Sequence, residues 1–192
     1  MDEERRRTWD ERYARGEHTY AFRPSPPLAE AIQGVPPGLA LDFACGSGRH
    51  ALFLAEHGWR VIAVDGSPVG VQLLLDESRR RGLGELITAE VADLEGPGYA
   101  IPPDGFDLVC DFYFLQRDRW DDLRAAVRPG GRFAAAIHVD DGTPGHRFLL
   151  APGELRALVE GWGWEILLFR EGASSEPGHH HATAEVVARR MR

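Results

Sequence analysis

Leu39-Ala40-Leu41-Asp42-Phe43-Ala44-Cys45-Gly46-Ser47-Gly48-Arg49-His50 is the stretch whose reading decides the fold. It starts as a short apolar run with one acid inside it, breaks on two glycines one residue apart, and passes into a helical pattern. A strand that ends in a Gly-x-Gly turn and feeds a helix is a device for cradling a nucleotide-like ligand. Glycine has no Cβ, so the backbone turns tightly and a ligand can come close to its N–H groups. The helix beyond adds unpaired N–H groups and the positive end of its dipole.

Outward from this stretch, strands and helices alternate. Apolar runs predict strands over 39–44, 59–64, 86–91, 106–111 and 132–138. Between them lie helices over 49–57, 68–81 and 118–127. Ser67-Pro68 is a helix start, with serine as cap and proline at the first helical position. The tail differs: a helix over 152–160, then strands over 164–170 and 182–189 with only a loop between them, which must pair antiparallel. The expectation is an α/β fold: a mostly parallel seven-stranded sheet, helices on both faces, and an antiparallel C-terminal strand hairpin. Ahead of it, residues 1–38 form a helical lid or linker, and 39–192 the main body, together one structural domain. Trp9 and Tyr13 are four apart in a charged helix over 2–16 and share a face. They either dock that helix or, with Tyr20, Phe22 and Arg23, cover a ligand.

The 192 residues are enough to bury a core without staples. A formal net charge of −8 argues against a phosphate-tracking surface, so no nucleic-acid partner is expected. No apolar run is long enough to span a membrane. The charged N-terminus has no apolar segment behind it, so it is not a signal peptide. Cys45 and Cys110 lie in apolar strand-like runs and read as free buried thiols, which places the protein in the cytoplasm. His179-His180-His181 invites a metal reading, but adjacent histidines on an extended segment point alternately, so no metal site is expected.

Gly46, Gly48 and Ala51 also fit the G-x-G-x-x-G/A pattern of dinucleotide binders, and Asp65, nineteen residues past Gly46, stands where an acid grips a ribose. Three features favour a different ligand. Asp42, an acid inside a strand, is costly to bury without a cationic or donor partner, such as an amino-acid ammonium. Asp93, at the end of the third strand, offers a carboxylate to a base amino group. The tail is not the second half of a dinucleotide fold. Asp42-Phe43-Ala44-Cys45-Gly46-Ser47-Gly48, Val64-Asp65-Gly66-Ser67, Ala92-Asp93-Leu94, Phe106-Asp107-Leu108-Val109 and Pro129-Gly130-Gly131 in this order resemble the motifs of class I S-adenosylmethionine-dependent methyltransferases, which have a Rossmann-like fold. Ala44 stands where that family more often has glycine. Trp9-Asp10-Glu11-Arg12-Tyr13 and Arg49-His50-Ala51 resemble the small tellurite-resistance and thiopurine-methyltransferase-like branch, which acts mostly on small molecules.

The resemblance implies roles. Asp42 lies near the methionine ammonium. Ala44, Gly46 and Gly48 carry the loop under the cofactor. Asp65, followed by Gly66, accepts both ribose hydroxyls. Asp93 accepts from the adenine amino group, with Leu94 against the ring, and Phe112 lines the methyl-donor end. The implied cofactor is S-adenosylmethionine, with S-adenosylhomocysteine as product. A sulfonium already activates its methyl group, so positioning for in-line attack matters most, and a general base only where the acceptor must lose a proton. Asp111, Tyr113 and His180 are the catalytic candidates; Tyr20, Arg23 and His138 are substrate-side candidates. The expected activity is methyl transfer to a small-molecule acceptor by a monomer or homodimer. Its rivals are a non-enzymatic binder of the same cofactor and a nicotinamide-dependent oxidoreductase.

Overall fold

The structure is a computed structural model, and it describes residues 1–16, 23–96, 98–140, 142, 148–176 and 180–192. The helices are α1 (Glu3–Ala14), α2 (Pro26–Ile32), α3 (Arg49–Glu56), α4 (Pro68–Arg80), α5 (Trp120–Ala126) and α6 (Glu154–Gly161). The strands are β1 (Leu39–Phe43), β2 (Arg60–Asp65), β3 (Ile87–Val91), β4 (Phe106–Phe112), β5 (Val127–His138), β6 (Glu165–Ala173) and β7 (Ala182–Arg189). They form a seven-stranded mixed sheet in the order β3-β2-β1-β4-β5-β7-β6. This is the α/β architecture expected, with β7 antiparallel to both β5 and β6.

Two compact units make up the chain. The first comprises Met1–Pro24 and Pro36–Ile101. In it β1, β2 and β3 pair in parallel, with Asp42 opposite Ala63. Helices α3 and α4 pack on these strands, and α1 packs on α4. Its interior holds Leu41, Phe43, Leu52, Leu54, Trp59 and Leu74, all fully buried. Helix α4 starts as the sequence dictates: the Ser67 hydroxyl accepts from the Gly70 N–H at 3.1 Å, a cap that contributes about 1 kcal/mol. Helix α1 is capped by Asp2, which accepts from the Arg5 N–H at 2.8 Å.

The second unit comprises Ser25–Val35 and Pro102–Arg192. Here β4 and β5 pair in parallel, α2 packs on β5 and β7, α5 on β4 and β5, and α6 on β6 and β7. Helix α2 begins at Pro26, because Pro26 and Pro27 occupy its first positions, where a missing N–H costs nothing. Strand β5 also starts early, at Val127 instead of 132. The Pro129-Gly130-Gly131 segment is absorbed into the strand, because Gly130 donates to the Arg190 carbonyl and Gly131 accepts from the Arg190 N–H, each at 2.9 Å.

Candidate functional site

The glycine turn of the first unit is held from below by an acid. Asp65, at the end of β2 and buried, accepts from the Gly46 N–H through Oδ2 and from the Ser67 N–H through Oδ1, both at 2.8 Å. One carboxylate thereby ties the turn after β1 to the turn after β2. The Gly66 N–H gives this carboxylate a third backbone hydrogen bond. Burial pushes the Asp65 carboxyl above its ordinary value, against the pull of the backbone N–H groups of Ser67 and Gly46.

Gly46 (φ 54°) and Gly48 (φ 85°) are both left-handed. A Cβ at Gly48 would lie 2.2 Å from Leu74 Cδ1, so this glycine lets α3 and α4 close together. Ala44 is left-handed as well (φ 61°), so the place where the resembled family prefers glycine is a conformation that strains an L-residue by about 1–2 kcal/mol. The departure therefore bears on backbone strain as well as on room for a ligand.

Asp42 is buried in β1 with 1% exposure. It takes a backbone hydrogen bond from Ala51, while its Oδ2 has no hydrogen-bond partner among the described residues. Burial raises its carboxyl from 3.8 to about 7, only partly offset by the Ala51 N–H and the Arg49 guanidinium. A buried carboxylate oxygen without a donor is a costly feature to keep unless a donor or cation arrives. Burial also pushes the Cys45 thiol up, helped by the charges of Asp65 and Asp42. Both Cys45 and Cys110 are free and buried.

Helix α1 stands over this turn. Trp9 and Tyr13 stack with centroids 5.8 Å apart, so they share a face. A Cβ on Gly46 would sit 2.5 Å from the Tyr13 hydroxyl, and one on Gly66 would sit 2.3 Å from Met1 Cε. Ser67 donates to Asp10. Asp93, exposed just past β3, accepts from the Met1 ammonium and from the Glu95 N–H at 2.9 Å. Leu94 is buried beside it. Asp93 and Gly66, expected at the adenine and ribose, thus face Met1 in this structure.

The second unit brings another set together. Asp111 and Phe112 end β4, both buried. Tyr113 follows in a left-handed conformation (φ 62°), its N–H donating to the Ala136 carbonyl at 2.7 Å. Its hydroxyl donates to Glu176 Oε2 at 2.7 Å, and the Ser25 hydroxyl donates to the same oxygen at 2.9 Å. The His138 ring lies 5.1 Å from Tyr113 and 5.7 Å from His181. His180 is exposed, and Arg23 is exposed with its carbonyl accepting from Arg49 at 3.3 Å. Tyr20 lies outside the described residues. Ser25 and Glu176 were missed by sequence reasoning: one reads as part of a proline loop, the other as part of a polar one. Among the described residues no group of three or more His, Cys, Asp or Glu could hold a metal ion. Among them no helix is long and apolar enough to cross a membrane.

Residues 40–131 match the family model of a methyltransferase domain. Hemagglutinin 1 of Eikenella corrodens is 34% identical over 164 residues, covering 81% of this chain and 52% of that protein, so the chain spans about half the length of this curated relative. The 1,6-didemethyltoxoflavin-N1-methyltransferase of Burkholderia thailandensis, solved with 1,6-didemethyltoxoflavin and S-adenosylhomocysteine, has a similar fold, with a TM-score of 0.73 and 20% identity over 97% of this chain and 87% of that one. TehB from Haemophilus influenzae has a TM-score of 0.70 and 22% identity over 85% of this chain and 61% of that one. The match over residues 40–131 is to a methyltransferase domain, and the two solved neighbours share this chain's fold.

Proposed function

We propose that this protein transfers the methyl group of S-adenosylmethionine to a small-molecule acceptor by in-line attack. The observation that carries the reading is Asp42. A carboxylate oxygen buried without a donor among the described residues, next to the end of the strand that leads into the glycine turn, fits the ammonium of an amino-acid cofactor. A nicotinamide carries no ammonium. Asp42 holds that ammonium, Ala44, Gly46 and Gly48 form the turn beneath the cofactor, Asp65 and Gly66 serve the ribose, Asp93 and Leu94 the adenine, and Phe112 the methyl-donor end. The bound cofactor supplies a sulfonium-activated methyl group. Asp111, Tyr113 and His180 are the catalytic residues of this reading, and Tyr20, Arg23 and His138 its substrate-side residues.

The glycine cradle and the open valence on Asp42 both support this assignment. The fold neighbour with S-adenosylhomocysteine and 1,6-didemethyltoxoflavin bound supports a small acceptor. The test has two arms. Calorimetry compares S-adenosylhomocysteine with NAD(H); tighter binding of the nicotinamide would sink the assignment. Labelled methyl transfer across thiols, amines, phenols and chalcogen oxyanions then separates an enzyme from a protein that only binds the cofactor.

A further inference from the structure

We infer that Glu176 and Tyr113 form a proton relay that serves an aromatic hydroxyl acceptor; this rests on the methyltransferase reading above. Glu176 is 8% exposed, and its Oε2 accepts from two hydroxyls, those of Tyr113 (2.7 Å) and Ser25 (2.9 Å). Two neutral donors on one oxygen stabilise the ionised form of a carboxylate.

The tyrosine is itself placed with care. It follows the last residue of β4 in a left-handed conformation that costs about 1–3 kcal/mol for a residue with a side chain. The Ala136 carbonyl, from the adjoining strand β5, fixes its N–H at 2.7 Å. The C-terminal ends of parallel strands are where ligands of open α/β sheets bind. The rings of Tyr113, His138 and His181 follow one another at 5.1 and 5.7 Å, tilted at 48° and edge-on at 84°, so they offer an aromatic acceptor ring edges as well as faces. A thiolate or a neutral amine attacks with a lone pair it already has. A carboxylate working through a tyrosine hydroxyl is useful where the attacking atom must shed a proton, as a phenolic oxygen must.

The acceptor O–H bond breaks and its proton passes to Tyr113 Oη as the Tyr113 proton passes to Glu176 Oε2. The acceptor oxygen gains the methyl group, and the carbon–sulfur bond electrons stay with the departing thioether sulfur. Glu176 then returns its proton to water through the same tyrosine. Tyr113 touches the acceptor; Glu176 acts through it as a positioning residue and final proton holder.

The experiment uses 4-nitrophenol and phenol as probe acceptors at about pH 8, where the first is already ionised and the second, with a pKa near that of tyrosine, is not. The full chain is assayed as wild type, E176Q and Y113F, with S-adenosylhomocysteine affinity measured on each. For both variants the kcat ratio of phenol to 4-nitrophenol is expected to fall about 100-fold, with KM for either probe within about threefold of wild type. An equal loss for both probes, or none, makes Glu176 a structural tie between Ser25 and Tyr113 and overturns the relay. Wild-type protein that binds S-adenosylmethionine but methylates neither probe overturns the acceptor class alone. Failure to bind S-adenosylmethionine overturns the underlying methyltransferase reading instead.

Discussion

Asp42→Asn tests the central claim of the cofactor site without changing its shape. In the folded protein burial raises this carboxyl from 3.8 to about 7. The folded state therefore holds a proton that the unfolded chain releases between these two values. Stability is highest below the unfolded value and falls as pH rises through the window, until above pH 7 the buried charge is carried in full. A shift of about three units corresponds to about 4 kcal/mol. The asparagine is neutral throughout, and its carbonyl oxygen can take the Ala51 N–H. Its amide NH2, placed where Oδ2 lacks a donor, is left buried and unsatisfied at a cost of about 1–3 kcal/mol. The net expectation at pH 8 is a variant more stable than wild type by about 2 kcal/mol, or roughly 4–8 °C in Tm for a chain of this size. The two curves should cross between about pH 5 and 6, where the wild-type carboxyl is largely protonated. Asp65 is also raised by burial and its charge raises Asp42, so the difference between the two proteins reports Asp42 together with its coupling to Asp65. Thermal melts from pH 4 to 8 provide the stability readout. S-adenosylhomocysteine binding gives the opposite sign: loss of a charged hydrogen bond should weaken it about 10–100-fold at pH 8. Wild-type affinity should decline as pH falls below 7, while the variant's stays flat. Parallel stability curves, or equal affinities at pH 8, would refute the reasoning.

Other expectations are direct. Asp65→Ala removes the tie between the Gly46 and Ser67 N–H groups as well as the proposed ribose acceptor; S-adenosylhomocysteine affinity should fall by about 1–3 kcal/mol in a calorimetric titration, and unchanged affinity would remove Asp65 from the site. Gly48→Ala places a Cβ 2.2 Å from Leu74 Cδ1 in a left-handed backbone, so chemical denaturation should show a loss of about 2–4 kcal/mol. The pair Gly48→Ala with Leu74→Ala should be non-additive by about 1 kcal/mol or more, because the second change removes the clash and leaves only the backbone strain and the lost Leu74 packing. Cys45 and Cys110 should not react with a thiol reagent at pH 8 until denaturant is added, since both are buried and the Cys45 thiol is pushed above its ordinary value; fast labelling of the native protein would contradict that packing.

The residues proposed for the cofactor and those proposed for the acceptor differ in how much of them a sequence can show, and the reason is contact distance along the chain. Helix α4 is legible because its start is a local event: Ser67 caps Gly70 three residues on, and Pro68 needs no partner for a missing N–H. Strand β7 matches its expected bounds because a β-branched and alanine run needs no more than a neighbouring strand to pair with. Asp42 is legible for the opposite reason. An acid in an apolar strand contradicts its surroundings, and such contradictions mark sites. Strand β5 is misjudged at its start because Pro129-Gly130-Gly131 carries every local sign of a turn; only the pairing of Gly130 and Gly131 with Arg190, some sixty residues away, makes it a strand. Glu176 is the extreme case. Its two donors are 63 and 151 residues distant, and its own surroundings, Ala-Ser-Ser-Glu-Pro-Gly, describe an ordinary polar loop. A cofactor that is the same throughout a family can be held by residues at the ends of successive strands, where position alone announces them. The relay proposed for the acceptor is assembled from Ser25 ahead of α2, Tyr113 after β4 and Glu176 ahead of β7, and no local rule links these three. A substitution at any one of them should therefore change acceptor chemistry while leaving cofactor affinity as it was, and it is that separation which distinguishes a second site from a second view of the first.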